Sequence, residues 1–359
     1  MAAPILDMSK FTFDGDVIRA VSEMVFDETL RNSDINAYHT IYPNIVTKKE
    51  LGFIGSGGLV GVKNQGCNPT AQPWKINTRK ATFDPKAWEV LIHECWTDLQ
   101  DTAVVYSLRT GVDIPDFQNT DYMNVLLEVL GNSMREFWWR LYWFSDTTAA
   151  NVTPAEEEGS PGVITDGVDV KFFNILDGFW KQITQQLTAN TKQRVTITEN
   201  TGASYEAQQV TPANAKNYFQ QLYYKAPLIL RQQRDGFILT TQSLYDAYMM
   251  SFQDTCCLES ARVALLNGME AISISGVPII PIPEWDTIIQ KYEDTGKKWN
   301  NPNRAIYTTK AVLAAGIDNA NAFDNFSVWY DRDTRLVKIE GMGQSDAVLA
   351  NPDMLQVAI

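Results

Sequence analysis

The sequence predicts an α+β chain of two domains, and three observations carry that prediction. Residues 121–145 form one long amphipathic helix, a Gly- and Pro-rich stretch ahead of it alternates like a β-hairpin, and the C-terminal half reads as short strands and helices in succession. A chain of 359 residues is long enough for two domains, and 45% hydrophobic with 11% aromatic residues supplies a substantial core. Forty-three acidic against 30 basic residues give a net charge of -13, which argues against non-specific binding to nucleic acid. No internal repeat is visible.

From Ala2 to Thr47 the pattern is mixed, with one amphipathic helix expected over Asp16–Leu30, turning Val17, Val21, Met24, Val25 and Leu30 inward. Leu51–Phe83 reads as a long β-hairpin arm, with Leu59, Val60 and Val62 on one strand and Trp74, Ile76 and Thr78 alternating on the other. The arm has too little apolar content to bury itself and is expected to lie on another molecule or to move. Asp84 and Pro85 suit a helix start, and Trp88, Leu91, Ile92, Cys95, Trp96 and Leu99 then fall on one helical stripe.

The 121–145 helix follows a turn near Gly111 and Pro115, with Asn119 or Thr120 as its cap. Met123, Leu127, Leu130, Met134, Phe137, Leu141 and Phe144 share one face; Asn124, Glu128, Arg135 and Arg140 supply a polar side. Trp138, Trp139, Tyr142 and Trp143 make the last turns apolar almost all round, so this end is expected to be buried from several directions. At about 1.5 Å per residue the helix spans roughly 37 Å. The only loose segment, Thr147–Gly167, comes next.

Beyond Val163 the elements shorten. A helix is expected near Phe172–Leu187, a strand near Arg194–Thr198, a helix after Thr211 and Pro212, a strand at Gly236–Thr240 and a helix at Ser243–Phe252. Ile272 and Ile274 precede a tight Gly276-Val277-Pro278 step and a second short strand, whose Pro281, with Pro283, suits an edge or loop. Ala305–Thr308 reads as a strand followed by Ala311–Gly316. Phe326, Val328 and Tyr330 then pair with Leu336, Lys338 and Glu340 across a charged turn, Asp331-Arg332-Asp333-Thr334.

The search for chemistry returns little. His39 and His93 are the only histidines, without HxH, HxxxH or HExxH spacing, so no zinc site is expected. The run Gly55–Gly61 lacks the last glycine of GxGxxG, since Val60 stands there, and no GxxxxGK[ST] occurs. Cys67, Cys95, Cys256 and Cys257 show no CxxC spacing and read as reduced thiols in a cytoplasmic setting. Glu156–Glu158 reads as a solvated loop. The N-terminus lacks a signal peptide's basic start and apolar run, and no stretch approaches the roughly 20 apolar residues of a membrane span. No catalytic, cofactor or metal constellation emerges.

The succession of the last third carries a resemblance. GFILTTQSLYDAYMMSF, then LLNGMEAISISGVPIIPIPEWD, RAIYTTKAVLAAGI and FSVWYDRDTRLVKIEG resemble the C-terminal portion of tailed-bacteriophage major capsid proteins of the Hong Kong 97 type, with Tyr330-Asp331-Arg332 similar to an element that recurs there. GLVGVKNQGC through WKINTR also resembles major capsid proteins of crAss-like phages. The resemblance implies a Hong Kong 97-type fold: N-terminal arm 1–47, extended E-loop 48–83, peripheral domain 84–162 with spine helix 121–145, axial domain 163–321, peripheral hairpin 322–345 and C-terminal segment 346–359. It implies self-assembly into pentamers and hexamers of an icosahedral head around double-stranded DNA, bound without sequence specificity, in the virion after assembly in the bacterial cytoplasm. Portal, scaffolding and decoration or head-fibre proteins are its implied partners, with no membrane. Scaffolding, with no long charged prodomain ahead of the arm, would be a separate protein or have been removed. The implied intersubunit contacts are Gly55, Gly58, Leu59, Val60 and Trp74 on the arm and Asp331, Arg332, Asp333 and Arg335 on the hairpin tip. The family's isopeptide cross-link finds no matching Lys and Asn, so Lys63 and Lys75 stay ordinary arm lysines. Two other readings stand beside this one: a soluble cytoplasmic α+β enzyme with an unidentified site, and an encapsulin-like compartment protein.

Overall fold

The computed structural model of the chain describes residues 34–54, 63, 78–95, 131–152, 163–252, 262–264, 270–318, 326–331, 334 and 336–359. The expected Asp16–Leu30 helix, the arm beyond its base and residues 121–130 of the long helix lie outside them. After a short helix, Asp34–Tyr38, come strands β1 (Thr40–Tyr42), β2 (Lys49–Ile54), β3 (Thr78–Phe83) and β4 (Lys86–Cys95). Within the expected loose segment, β5 (Ala150–Asn151) and β6 (Val163–Ile164) form a short parallel pair. Then follow β7 (Arg194–Val195), β8 (Gly236–Thr240), β9 (Arg262–Ala264), β10 (Glu270–Ile274), β11 (Val277–Pro281), β12 (Ala305–Thr309), β13 (Leu313–Ile317), β14 (Phe326–Asp331), β15 (Leu336–Leu349) and β16 (Gln356–Ala358).

A five-stranded sheet is organised by β15. The register places β14 and β4 on either side of Leu336–Gly341, and β13 and β4 on either side of Ser345, so β13 and β14 share one edge while β4 takes the other. β1 extends the sheet by pairing in parallel with β13. The helix expected after Asp84 is therefore a strand, paired in register from Lys86↔Ser345 to Cys95↔Leu336. Its burial has a period of two: Trp88 is buried and Val90 and Ile92 half-buried on one face, while Glu89, Leu91 and His93 are exposed on the other. Leu91 and Ile92, neighbours on the expected helical stripe, thus point to opposite faces. Trp88 fills the place of a side chain at Gly343, where a Cβ would fall 2.5 Å from the indole, and its Nε1 donates to Ser345 Oγ at 3.0 Å.

The second sheet has seven strands in the order β7-β16-β12-β8-β11-β10-β9. Ser275 and Gly276, with φ of 51° and 82°, turn β10 into β11 as a two-residue hairpin of the type that needs left-handed backbone at both central positions. The expectation that the prolines mark an edge or loop is corrected here, because β11 lies inside the sheet. It pairs with β10 only at Val277 and Pro278, and along Ile279–Pro281 its partner is β8. Pro281 thus sits past the β10 ladder, where a missing N–H breaks nothing on that side. Pro283 opens the helix Pro283–Tyr292 at its first turn.

Both faces of this sheet are covered. Phe237, Leu239, Ile280 and Ile306 point into a large core shared with the first sheet. Ile238, Ile279 and Tyr307 point into a second core under the helices Pro212–Lys225 and Gln242–Met250. The first of these starts where the sequence places it, with Thr211 Oγ1 accepting from Asn214 N and proline in the first turn. The helix expected from Phe172 begins instead at Phe179. Val170–Phe172 makes one separate 3₁₀ turn, and Gly178 crosses the backbone at Ser145, donating to its carbonyl at 2.7 Å; a Cβ there would lie 3.0 Å from Trp143 and Ser145 carbonyl atoms.

The shared core centres on the end of the long helix, α-helical over 131–139 and widened to a π turn over Arg140–Phe144. Trp138, Trp139, Tyr142 and Trp143 are at most 1% exposed, as the all-round aromatic pattern predicts. Trp143 packs 4.5 Å from Trp285 and 5.3 Å from Trp180, and Trp180 lies 5.0 Å from Trp285. Two ionic groups edge this knot. Lys181 reaches Asp146 Oδ1 at 2.6 Å and Asp177 Oδ1 at 2.8 Å. Arg304 pairs with Glu293, both at most 2% exposed, donates to the Asn300 and Asn301 carbonyls at 2.8 Å, and stacks 5.3 Å from Phe144 and Trp180.

Candidate subunit interface

At the base of the expected arm two strands pair, while the alternating Leu59, Val60, Val62, Trp74 and Ile76 lie outside the described residues. β2 and β3 pair antiparallel from Lys49↔Phe83 to Ile54↔Thr78. Among the described residues a small cluster anchors them: Phe83, Ile45, Ala314 and Ala350 are buried, with Tyr42, Leu51 and Val348 packed alongside. Phe83 rests on Gly316 of β13, where a Cβ would meet its ring at 3.0 Å. Ala81 is also buried, while Lys49, Glu50, Gly52, Lys80 and Thr82 are exposed, with a cross-strand contact at 2.6 Å between Lys80 and Glu50. Of the contact residues expected on the arm, Gly55, Gly58, Leu59, Val60 and Trp74 lie outside the described residues.

Where β3 turns into β4, charge replaces apolar contact. Asp84 is held by Lys86 at 2.8 Å and Lys48 at 3.3 Å, and these two lysines keep its carboxyl below the usual carboxylate range. Asp346 of β15, 8% exposed, accepts from Asp84 N at 2.6 Å and from Ala347 N at 2.9 Å. Burial pushes the Asp346 carboxyl up to about 6 against those two hydrogen bonds. Sequence reading missed this root. Its one signal is the DPK turn, read as a helix cap rather than as a strand-to-strand corner.

The hairpin β14–β15 has the expected strands, with Phe326 opposite Gly341 and Asp331 opposite Leu336. Asp331 ends β14; Arg332, Asp333 and Arg335 lie outside the described residues. Register puts Glu89, Leu91 and His93 of β4 on one face with Met342, Glu340 and Lys338 of β15. Leu91 and Met342 are 56% and 55% exposed there, two apolar side chains among charges. A second apolar spot lies at the far end of the Pro212–Lys225 helix, where Tyr224, Leu228 and Ile229 are 62–64% exposed, beside Lys225 and Arg231 in sequence. Its sequence signal is APLILR, because a single four-residue helix cannot bury every side chain of such a run.

Neither histidine is arranged for catalysis. His93 is exposed on β4. His39 is fully buried; its Nε2 accepts from Trp143 Nε1 at 2.9 Å, which leaves Nδ1 to carry the proton and donate to Ile35 O at 2.7 Å. Burial holds its pKa down, to about 4. Among the described residues no group of three or more His, Cys, Asp or Glu is placed to hold a metal, and no helix is long and apolar enough to cross a membrane.

No family model matches the chain, and no curated protein sequence matches it. Its backbone matches chains of solved phage structures. A chain of the satellite phage P4 procapsid, in the structure that includes its size determination (Sid) protein, has TM-score 0.54 at 12% identity, covering 97% of this chain and 92% of that one. A chain of Gordonia phage Cozz has TM-score 0.51 at 11% identity over 91% and 85% of the two chains, and one of Mycobacterium phage Ogopogo 0.50 at 8% over 91% of each. At such identities the likeness shows a shared fold.

Proposed function

We propose that the chain is a shell subunit: a non-enzymatic major capsid protein of the Hong Kong 97 type that assembles into pentamers and hexamers of an icosahedral head around double-stranded DNA. The observation that carries the reading is the fold shared with the P4 procapsid chain along nearly the whole of both. The sequence resemblance, which rests on motifs in order, supports the same reading. In this reading 48–83 is the E-loop, the helix ending at Phe144 is the spine, and the elements around β8 and β12 form the axial domain. Portal, scaffolding and decoration or head-fibre proteins are its partners. The arm, whose described base is anchored by four buried residues, and the apolar spots at Leu91/Met342 and Tyr224/Leu228/Ile229 are the surfaces a second copy covers. A net charge of -13 suits a wall along which packaged DNA slides.

The test is assembly. The purified chain, alone or with a co-expressed scaffold, is expected to form closed particles by sedimentation and electron microscopy; a monomer under every assembly condition, turning over a metabolite, overturns the reading. Uniform small shells free of DNA would favour a compartment protein instead. Deleting Gly55–Pro69 is expected to leave a folded subunit that makes no stable shells, and global unfolding of that variant would contradict the arm's assignment.

A further inference from the structure

The root of the arm is built unlike the rest of the subunit. Asp346 is a buried carboxylate with two backbone N–H donors; Lys86, which acts on it electrostatically, makes its ion pair with Asp84 instead, as does Lys48. The groups bearing on it come from every element packed there. Asp84 and Lys86 flank the β3–β4 corner, Lys48 precedes β2, and Tyr142 comes from the aromatic helix. Asp318, beyond β13, acts with Asp346 on the Tyr142 hydroxyl, and Asp177 reaches Lys86. Balance among these charges leaves Asp346 beside another carboxylate and away from water.

We propose that Asp346 is a proton-operated latch at the root of the β2–β3 hairpin: protonated, it holds the β3–β4 corner against β15, and ionised, it favours release of that corner into solvent. The direction follows from placement. A neutral acid still accepts from Asp84 N–H through its carbonyl oxygen and carries no charge to desolvate. The carboxylate accepts more strongly from the same N–H but loses hydration and faces Asp84, and burial outweighs the stronger hydrogen bonds. Opening the corner rehydrates the ion, so raising the pH favours the open form and lowering it favours the closed one. The sign agrees with a carboxyl whose pKa is raised in the closed form, to about 6 from 3.8.

Hydrogen exchange on the unassembled full-length subunit tests this without reference to shell formation. After correction for the intrinsic pH dependence of exchange, peptides covering residues 78–86 are expected to gain protection on acidification, in a transition that starts near pH 6 and levels towards the ordinary carboxylate value of 3.8. Asp346→Asn, a neutral near-isostere, is expected to remove that transition and hold the root at its acid-side protection. Asp84→Asn is expected to move the midpoint to lower pH, because it removes the neighbouring negative charge; Asp84 is half-exposed, so this variant is expected to fold. A transition of unchanged midpoint in both variants, or a flat wild-type profile, overturns the latch. Loss of protection on acidification would reverse its sign and overturn it equally.

Discussion

Replacing His39 with glutamine is expected to remove a specific part of the subunit's acid sensitivity. The imidazole is 0% exposed, stacked 5.5 Å from Phe179 and edge-on to Trp139 and Trp143, with both ring nitrogens used. Protonation would give Nε2 a hydrogen aimed at the Trp143 N–H and would put a cation in the aromatic knot. Burial is the main cause that holds the pKa near 4 against an ordinary 6.5; Lys310 adds to it, and the Ile35 carbonyl opposes it. In that window the unfolded chain binds a proton the folded one refuses, so stability rises with pH. At about 1.4 kcal/mol per pH unit, the wild type should lose about 3 kcal/mol relative to His39→Gln as the pH falls from 6.5 to about 4. Urea titrations of both proteins across the window give the difference directly. Comparison with the variant matters because Asp346, with its folded pKa raised to about 6, contributes the opposite slope over much of the same range. A stability difference that stays constant with pH would refute the assignment of His39 as a neutral, fully satisfied core group.

Two other substitutions probe the shared core. Phe137→Ala empties a position 7% exposed whose ring lies 5.3 Å from Trp88 and 5.2 Å from Trp138; it should cost about 3 to 5 kcal/mol in chemical denaturation, and a near-neutral result would mean that this face is not packed. Arg304→Met strands the Glu293 carboxylate, whose pKa burial already raises, and should cost about 3 to 5 kcal/mol, whereas Arg304→Met with Glu293→Met should recover most of that loss. Equal losses in the single and double variants would show that packing, not the unpaired charge, carries the effect.

What could be read from the sequence follows the range of the forces that decide each element. Thr211 and Pro212 and Gly236–Thr240 fix their elements through nearby atoms, and structure and expectation agree there; the tight step expected at Gly276-Val277-Pro278 sits one residue earlier, at Ser275-Gly276, with Val277 and Pro278 already in β11. KAWEVLIHEC fits both periods, with Trp88, Leu91, Ile92 and Cys95 spaced for a helix and Trp88, Val90 and Ile92 for a strand. The choice falls to β15, and the Trp88–Ser345 hydrogen bond spans 257 positions of sequence. Helix Phe179–Ala189 starts late for the same kind of reason, since Gly178 must clear the Trp143 and Ser145 carbonyls. Of the candidate interface, the described part of the expected hairpin is its base, β2 paired with β3, and the alternating residues beyond it lie outside the described residues. The Asp84–Asp346 root was not legible, because nothing local marks an aspartate as buried.

Taken together, these contacts divide the subunit by stiffness. The two sheets share one core, in which Trp143, Trp180 and Trp285 touch one another and Arg304–Glu293 seals the edge; opening it would expose several large aromatics at once and an ion pair with no water. The arm base is held by Phe83 and a few small or partly buried neighbours, by surface lysines worth little in water, and by one buried carboxylate under electrostatic tension. Local opening at the root therefore needs far less free energy than opening the hub. In the proposed shell, copies at pentamer and hexamer positions share one sequence but not one set of neighbours. A hub that resists deformation with an arm root that yields lets each copy keep its core while its arm meets different surroundings, and a proton on Asp346 sets how readily that root yields.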